Sequence, residues 1–227
     1  GHISSIGLSL YLSMLKSAIR NRKDENKIEI IQTDVNFFDS AFINNGEKQS
    51  IEYENAKVLI VDGKLTGLVA VNKALKHMDT TTPIIIIADD YTEQVVRILK
   101  DNYNRGALVV GLIKSPGYAE HRKNLRDDIA LATGARPPSP KGIIVGDLET
   151  IKATKSKTVI RFKTNDDIKT KAKELETYMN TLTDDYDKEL LLQRINNLNG
   201  NVSVIKVGGN SEIERKERFD RFEDAVL

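Results

Sequence analysis

KVLIVDGKLTGLVAVNKALKHMDTTTPIIIIADDYTEQVVRILKDNYNRGALVVGLI, residues 57–113, alternates short apolar runs with amphipathic ones. Val58-Leu59-Ile60-Val61, Ile84-Ile85-Ile86-Ile87 and Leu108-Val109-Val110 are continuous rather than alternating, as strands covered on both faces must be. Strands are therefore expected over 57–61, 83–88 and 107–113, with helices over 68–78 and 92–103. Such short links between alternating strands and helices give a βαβαβ unit with right-handed crossovers and a parallel sheet. The fold class is α/β, a mostly parallel core with flanking strands and helices.

A domain of this kind often binds nucleotide, yet neither GxGxxG nor GxxxxGK[ST] follows any of these strands. Asp62, Asp89, Asp90 and Lys114 do sit just past strand carboxyl ends, where α/β ligand sites form. Together they define one reading, a phosphate- or nucleotide-responsive α/β regulator. The competing reading is strand-end capping and surface charge. The set faintly resembles the phosphoacceptor site of receiver domains, but there the acid pair ends the first strand and the lysine comes two strands later than here.

Upstream, Leu8, Tyr11, Leu12, Leu15 and Ile19 recur at helical spacing, so a helix is expected over 8–19, followed by a charged stretch. Residues 28–42 alternate and then present Phe37, Phe38 and Phe42 around Asp39-Ser40-Ala41. A turn at Asn44-Asn45-Gly46-Glu47 leads to a strand over 50–53. Downstream, 136–141 is proline-rich loop, 159–162 a strand, and 168–179 and 184–198 helices. Val202, Val204, Ile205 and Val207 then read as a strand stopped by Gly208-Gly209. Ser211 and Glu214 form a capping box for a last helix, with Phe219, Phe222 and Val226 on one face and Glu217, Asp220 and Asp224 on the other. An amphipathic helix near each end suggests a small unit built from both termini, with a continuous domain inserted.

The 227 residues, net charge +1 and 40% hydrophobic content fit one large domain or two modest ones. Neither charge sign is left over to collect a polyanion, so no nucleic-acid or membrane partner is expected. The absence of cysteine excludes thiol chemistry and disulfides and fits a reducing cytoplasm. The histidines at 2, 77 and 121 have no ligand spacing, so no metal site is expected. His121-Arg122-Lys123 has the look of a phosphate patch, but Asp127 and Asp128 neutralise it locally.

Three windows carry a resemblance: IKSPGYAEHRKNLRDDIALAT at 113–133, TDDYDKELLLQRINNLNGN at 183–201 and VIKVGGNSEIERKERFDRFEDAVL at 204–227. In one order, from about Asp34 to Leu227, they are similar to the group I chaperonins, the ring-forming folding machines. The resemblance implies an intermediate domain split over 1–30 and 201–227, an apical domain over 31–200, and no equatorial ATPase domain within this chain. It implies an apolar apical groove lined by Phe37, Phe38, Phe42, Leu75 and Val96, which takes unfolded polypeptides and a co-chaperonin lid. Asn72, Ala41, Lys100 and Asp101 depart from the family's apolar pattern, so the groove is expected to be narrower in apolar surface. Ile30 and Asn201, the latter beside Gly200, align with the two hinge glycines. Glu212 aligns with an intersubunit acid whose arginine partner is replaced by Val35. Asp224 aligns with the carboxylate that orients water for ATP hydrolysis. By resemblance the intact protein is an ATP- and Mg²⁺-dependent ring in the cytoplasm, an organellar matrix or a virus-infected host cytoplasm. This chain is expected to be a monomeric piece of it, without cofactor and without ATPase activity.

Overall fold

The computed structural model describes residues 39–117, 119–135, 143–155, 157–163 and 165–200, together with the backbone of 26–31. The first elements are strand β1 (Asn26–Ile31), a 3-10 turn (Ser40–Phe42), β2 (Ile51–Glu54), β3 (Lys57–Ile60) and β4 (Lys64–Leu65). Helix α1 (Val69–Leu75), β5 (Ile84–Ala88), β6 (Asp90–Tyr91), helix α2 (Glu93–Asn104), β7 (Val110–Lys114) and helix α3 (Ala119–Ala132) follow. The chain then forms β8 (Ile144–Asp147), β9 (Thr150–Ala153), β10 (Lys157–Phe162), helix α4 (Asp166–Met179) and helix α5 (Asp185–Leu198). The helix expected over 8–19, the loop over 136–141 and everything beyond 200 lie outside the described residues.

The expected βαβαβ unit is present. Strands β7, β5 and β3 lie side by side and parallel, with β8 added antiparallel to the outer edge of β3. All five positions of β5 are buried, the consequence of cover on both faces that its unbroken isoleucine run foretold. At roughly 1.5–3 kcal/mol per buried isoleucine, this run anchors the domain. The Tyr91 hydroxyl lies 2.8 Å from the Ile86 carbonyl and 2.5 Å from that of Ile113, tying the ends of β5 and β7 together.

Helix boundaries follow capping. Thr92 accepts a hydrogen bond from Val95 N at 3.4 Å and starts α2. At the other end Gly106, at φ +70°, donates to Tyr103 O, and Ala107 N donates to Asn102 O. This is a Schellman arrangement, which delays β7 until Val110. Helix α1 is shorter than its expected span because Leu68 supplies no side-chain cap and Met78 N closes a tight turn onto Leu75 O.

A second, wholly antiparallel sheet runs β1-β10-β9-β2. Its strands β2 and β10 match those expected at 50–53 and 159–162, whereas β9 between them, and β8 at the edge of the parallel sheet, were not foreseen. Gly146 inside β8 breaks the apolar run there. A Cβ at that position would lie 2.7 Å from Thr133 Cβ, so the close approach of α3's end to β8 requires glycine. Helices α4 and α5 pack on each other, and α5 also packs on β1 and α3. Ile168, Ala172, Leu175 and Met179 form the buried stripe of α4.

Helices α1 and α2 link successive neighbours, β3 to β5 and β5 to β7, which step across the sheet in one direction. Crossovers of one hand then place both helices on the same face of the sheet. None of the described helices is long and apolar enough to cross a membrane.

Candidate functional site

Helices α1 and α2 each expose one large apolar side chain. Among the described residues only Val69, Ile98 and Tyr178 are large, apolar or aromatic, and exposed, and the first two lie on these helices, at 84% and 37% exposure. Val71, Val95 and Leu99 point into the core. Leu75 and Val96, expected in the groove, are half-buried and packed against that core. Asn72 is exposed. Phe42 is wholly buried, its ring 5.6 Å from that of Tyr103 on α2, so it supports the helix from beneath and does not line a groove. Phe37 and Phe38 lie outside the described residues.

Lys100, at a position where the chaperonin pattern has valine, is tied down. Its Nζ lies 2.7 Å from Asp39 Oδ2, while Asp39 Oδ1 accepts from Ala41 N at 2.9 Å and so caps the 3-10 turn. Burial opposes ionisation of Asp39, but the hydrogen bonds from Lys100 and Ala41 N outweigh it and hold the carboxyl below its ordinary range. The turn is thus fastened to α2 twice, by this ion pair and by the ring contact beneath. Lys100→Ala is expected to raise the Asp39 titration midpoint, followed by carboxyl-carbon NMR, and to cost at most about 1 kcal/mol, as for partly exposed pairs. An unmoved midpoint overturns the pairing.

The strand-end acids form a different arrangement from a ligand site. Arg126 of α3, nearly buried, places one guanidinium nitrogen 2.8 Å from Asp62 Oδ1 and another 3.0 Å from Asp89 Oδ1. Lys64 and Lys114 each stand 3.7 Å from Asp90, whose carboxyl is held below its ordinary range first by the Tyr91 backbone N–H and then by those lysines. The edge is a closed ion-pair network: a phosphate would meet three carboxylates, and a cation would have to displace Arg126. This overturns the regulator built on Asp62, Asp89, Asp90 and Lys114. The described residues hold no cluster of three side chains able to ligate a metal. Sequence reasoning missed Arg126, whose sole signal is an arginine between Leu125 and Ile129 on the buried face of α3.

No family model matches the chain. Over 238 residues, 99% of this chain, it is 31% identical to the Chaperonin GroEL of Ehrlichia canis, of which it spans 58%. It is 30% identical over the same share to that of Ehrlichia chaffeensis, spanning 43% of it. Against the Chaperonin GroEL of Wolbachia pipientis wMel it is 33% identical over 226 residues, 92% of this chain and 41% of that protein. The chain is a divergent member of the GroEL-type chaperonins. It spans about half the length of the curated relatives it matches.

This GroEL-type chain locks α3 to α5 with buried polar groups. Arg194 Nε and Nη2 donate to Asp128 at 2.7 and 3.0 Å, a fork almost out of reach of water. Burial pushes the Asp128 carboxyl above its ordinary value, and the guanidinium offsets that only in part. His121 sits 3.3 Å from Gln193, its pKa pushed down to about 4 by burial. Gly200, at φ +71°, ends α5 in the left-handed region and donates to Asn197 O. Ile30 pairs with Thr158 inside the β1–β10 ladder. Asn201, Glu212 and Asp224 lie outside the described residues.

Proposed function

We propose that the α1–α2 face captures exposed apolar segments of non-native polypeptides. The observation that carries this reading is the pair of exposed apolar side chains, Val69 and Ile98, one on each of the two helices that right-handed crossovers put on the same face of the parallel sheet. Membership of the GroEL-type chaperonins supports it. Leu75 and Val96 form the floor of the face, and Phe42 steadies α2 from below. Residues 31–200 act as the apical domain, the termini as the intermediate domain, and Gly200 with Asn201 as a joint between them; Ile30, the other expected joint, is held in register with Thr158 inside the β1–β10 ladder. A co-chaperonin lid uses the same face.

Few apolar anchors leave single-site binding weak, because each gives roughly 1.5–3 kcal/mol before ordering costs. A ring of copies supplies the rest by avidity. In the whole protein, Asp224 orients water for ATP hydrolysis and Glu212 meets a neighbouring subunit. ATP and Mg²⁺ bind beyond these 227 residues, whose sequence has no phosphate-binding loop. The purified chain accordingly has no ATP turnover of its own.

The test is fluorescence anisotropy of a labelled, chemically unfolded polypeptide titrated with the chain. Saturable binding is expected, weakened at least about tenfold by Val69→Ser/Ile98→Ser, since each buried apolar anchor is worth roughly 1.5–3 kcal/mol before ordering costs. Circular dichroism of the variant checks its fold. Undiminished binding by a folded variant overturns the assignment.

A further inference from the structure

Around the apolar patch, α1 has no negative charge. Between Lys64 and Asp79 the sequence contains no acidic residue, and Lys73 and Lys76 are both exposed. At 100° per residue Val69, Asn72, Lys73 and Lys76 fall on one outward stripe, with Val71, Leu68 and Leu75 opposite. Neither lysine makes an ion pair among the described residues, whereas Lys57, Lys64, Lys100, Lys114, Arg126 and Arg194 all do. On α2 the outward charges balance, Glu93 and Asp101 against Arg97 and Arg105. The outward stripe of α1 therefore carries a surplus of two uncompensated cations beyond Val69, in a chain whose net charge is only +1.

Resting on the polypeptide-capturing reading above, we infer that this face selects apolar segments bearing acidic side chains, whose carboxylates pair with Lys73 and Lys76. The apolar side chains of such a segment cover Val69 and Ile98, and its acids meet the two lysines, which sit one and two helical turns beyond Val69. Exclusion of water by the apolar contact strengthens the charge pairing at its rim. A segment bearing lysines places like charges together and is disfavoured.

Three labelled peptides share one apolar sequence and differ only in carrying glutamate, glutamine or lysine at the same outward positions. Anisotropy at low salt is expected to rank them glutamate, glutamine, lysine, with the first about tenfold tighter than the last. The gap should close at 1 M salt, where screening acts within about 3 Å. Lys73→Glu/Lys76→Glu should reverse the order. Lys169→Glu/Lys173→Glu on α4 changes net charge equally and should leave the order intact.

Equal affinity for all three peptides overturns the selectivity while leaving apolar capture standing. A preference that follows net charge in both variants alike also overturns it. If no peptide binds, the capture reading falls, and the selectivity falls with it.

Discussion

Asp128→Ala unfolds at markedly lower urea concentration than the parent chain, with stability reduced by about 3–5 kcal/mol. The carboxylate and the Arg194 guanidinium are 66 residues apart in sequence and share two short hydrogen bonds in a nearly dry site between α3 and α5. Removing one partner leaves a buried charge with no compensation, which costs far more than the net worth of the pair. The control is Asp128→Leu/Arg194→Met, which fills similar volume without charge and should recover most of the loss. Equal m-values across the series keep the comparison one of stability. A single variant within about 1 kcal/mol of the parent would show that the pair is not the fastening between the helices. The consequence reaches function through position, since α3 also carries Arg126, which holds the carboxyl edge of the parallel sheet.

Stability falls as pH drops from about 6.5 toward 4, in a window above that of ordinary carboxylates. His121 has its pKa lowered from 6.5 to about 4 by burial beside Gln193, with Arg194 opposing a second positive charge there. A folded-state pKa below the unfolded one means that the neutral ring contributes its full stability above pH 6.5. That contribution is lost as the unfolded state takes up protons the native state refuses. From the two pKa values the loss between pH 7 and 5 is about 2 kcal/mol. Urea melts at half-unit steps of pH measure it. His121→Gln, which keeps an amide for Gln193 and cannot titrate, should flatten the curve between pH 6.5 and 5. An unchanged slope in that variant would assign the acid sensitivity elsewhere.

Legibility differed between the two sheets. The runs at 58–61 and 84–87 announced buried parallel strands because cover on both faces leaves a local trace, an unbroken apolar stretch. Strands β8 and β9 left none: four residues each, one interrupted by Gly146, with burial set by partners distant in sequence. The groove was legible only in outline. Spacing shows that Val96 and Leu75 belong to apolar stripes, but it does not say which members of a stripe stay in water. Val69 and Ile98 turned out to be the outward ones, and Phe42, expected among the groove residues, is wholly inside. The strand-end acids misled for a related reason. Their position suggests a ligand site, and only the return of α3 over the sheet edge brings Arg126 to neutralise them.

The amino-acid sequence alone determined the chaperonin kinship and the βαβαβ core, because both are written in local order and periodicity. Tertiary structure decided which apolar side chains remain in water, which acids are already paired, and that Asp128 meets Arg194. Those outcomes depend on which surfaces lie against one another across long separations, and neither the spacing nor the composition of any one segment contains that.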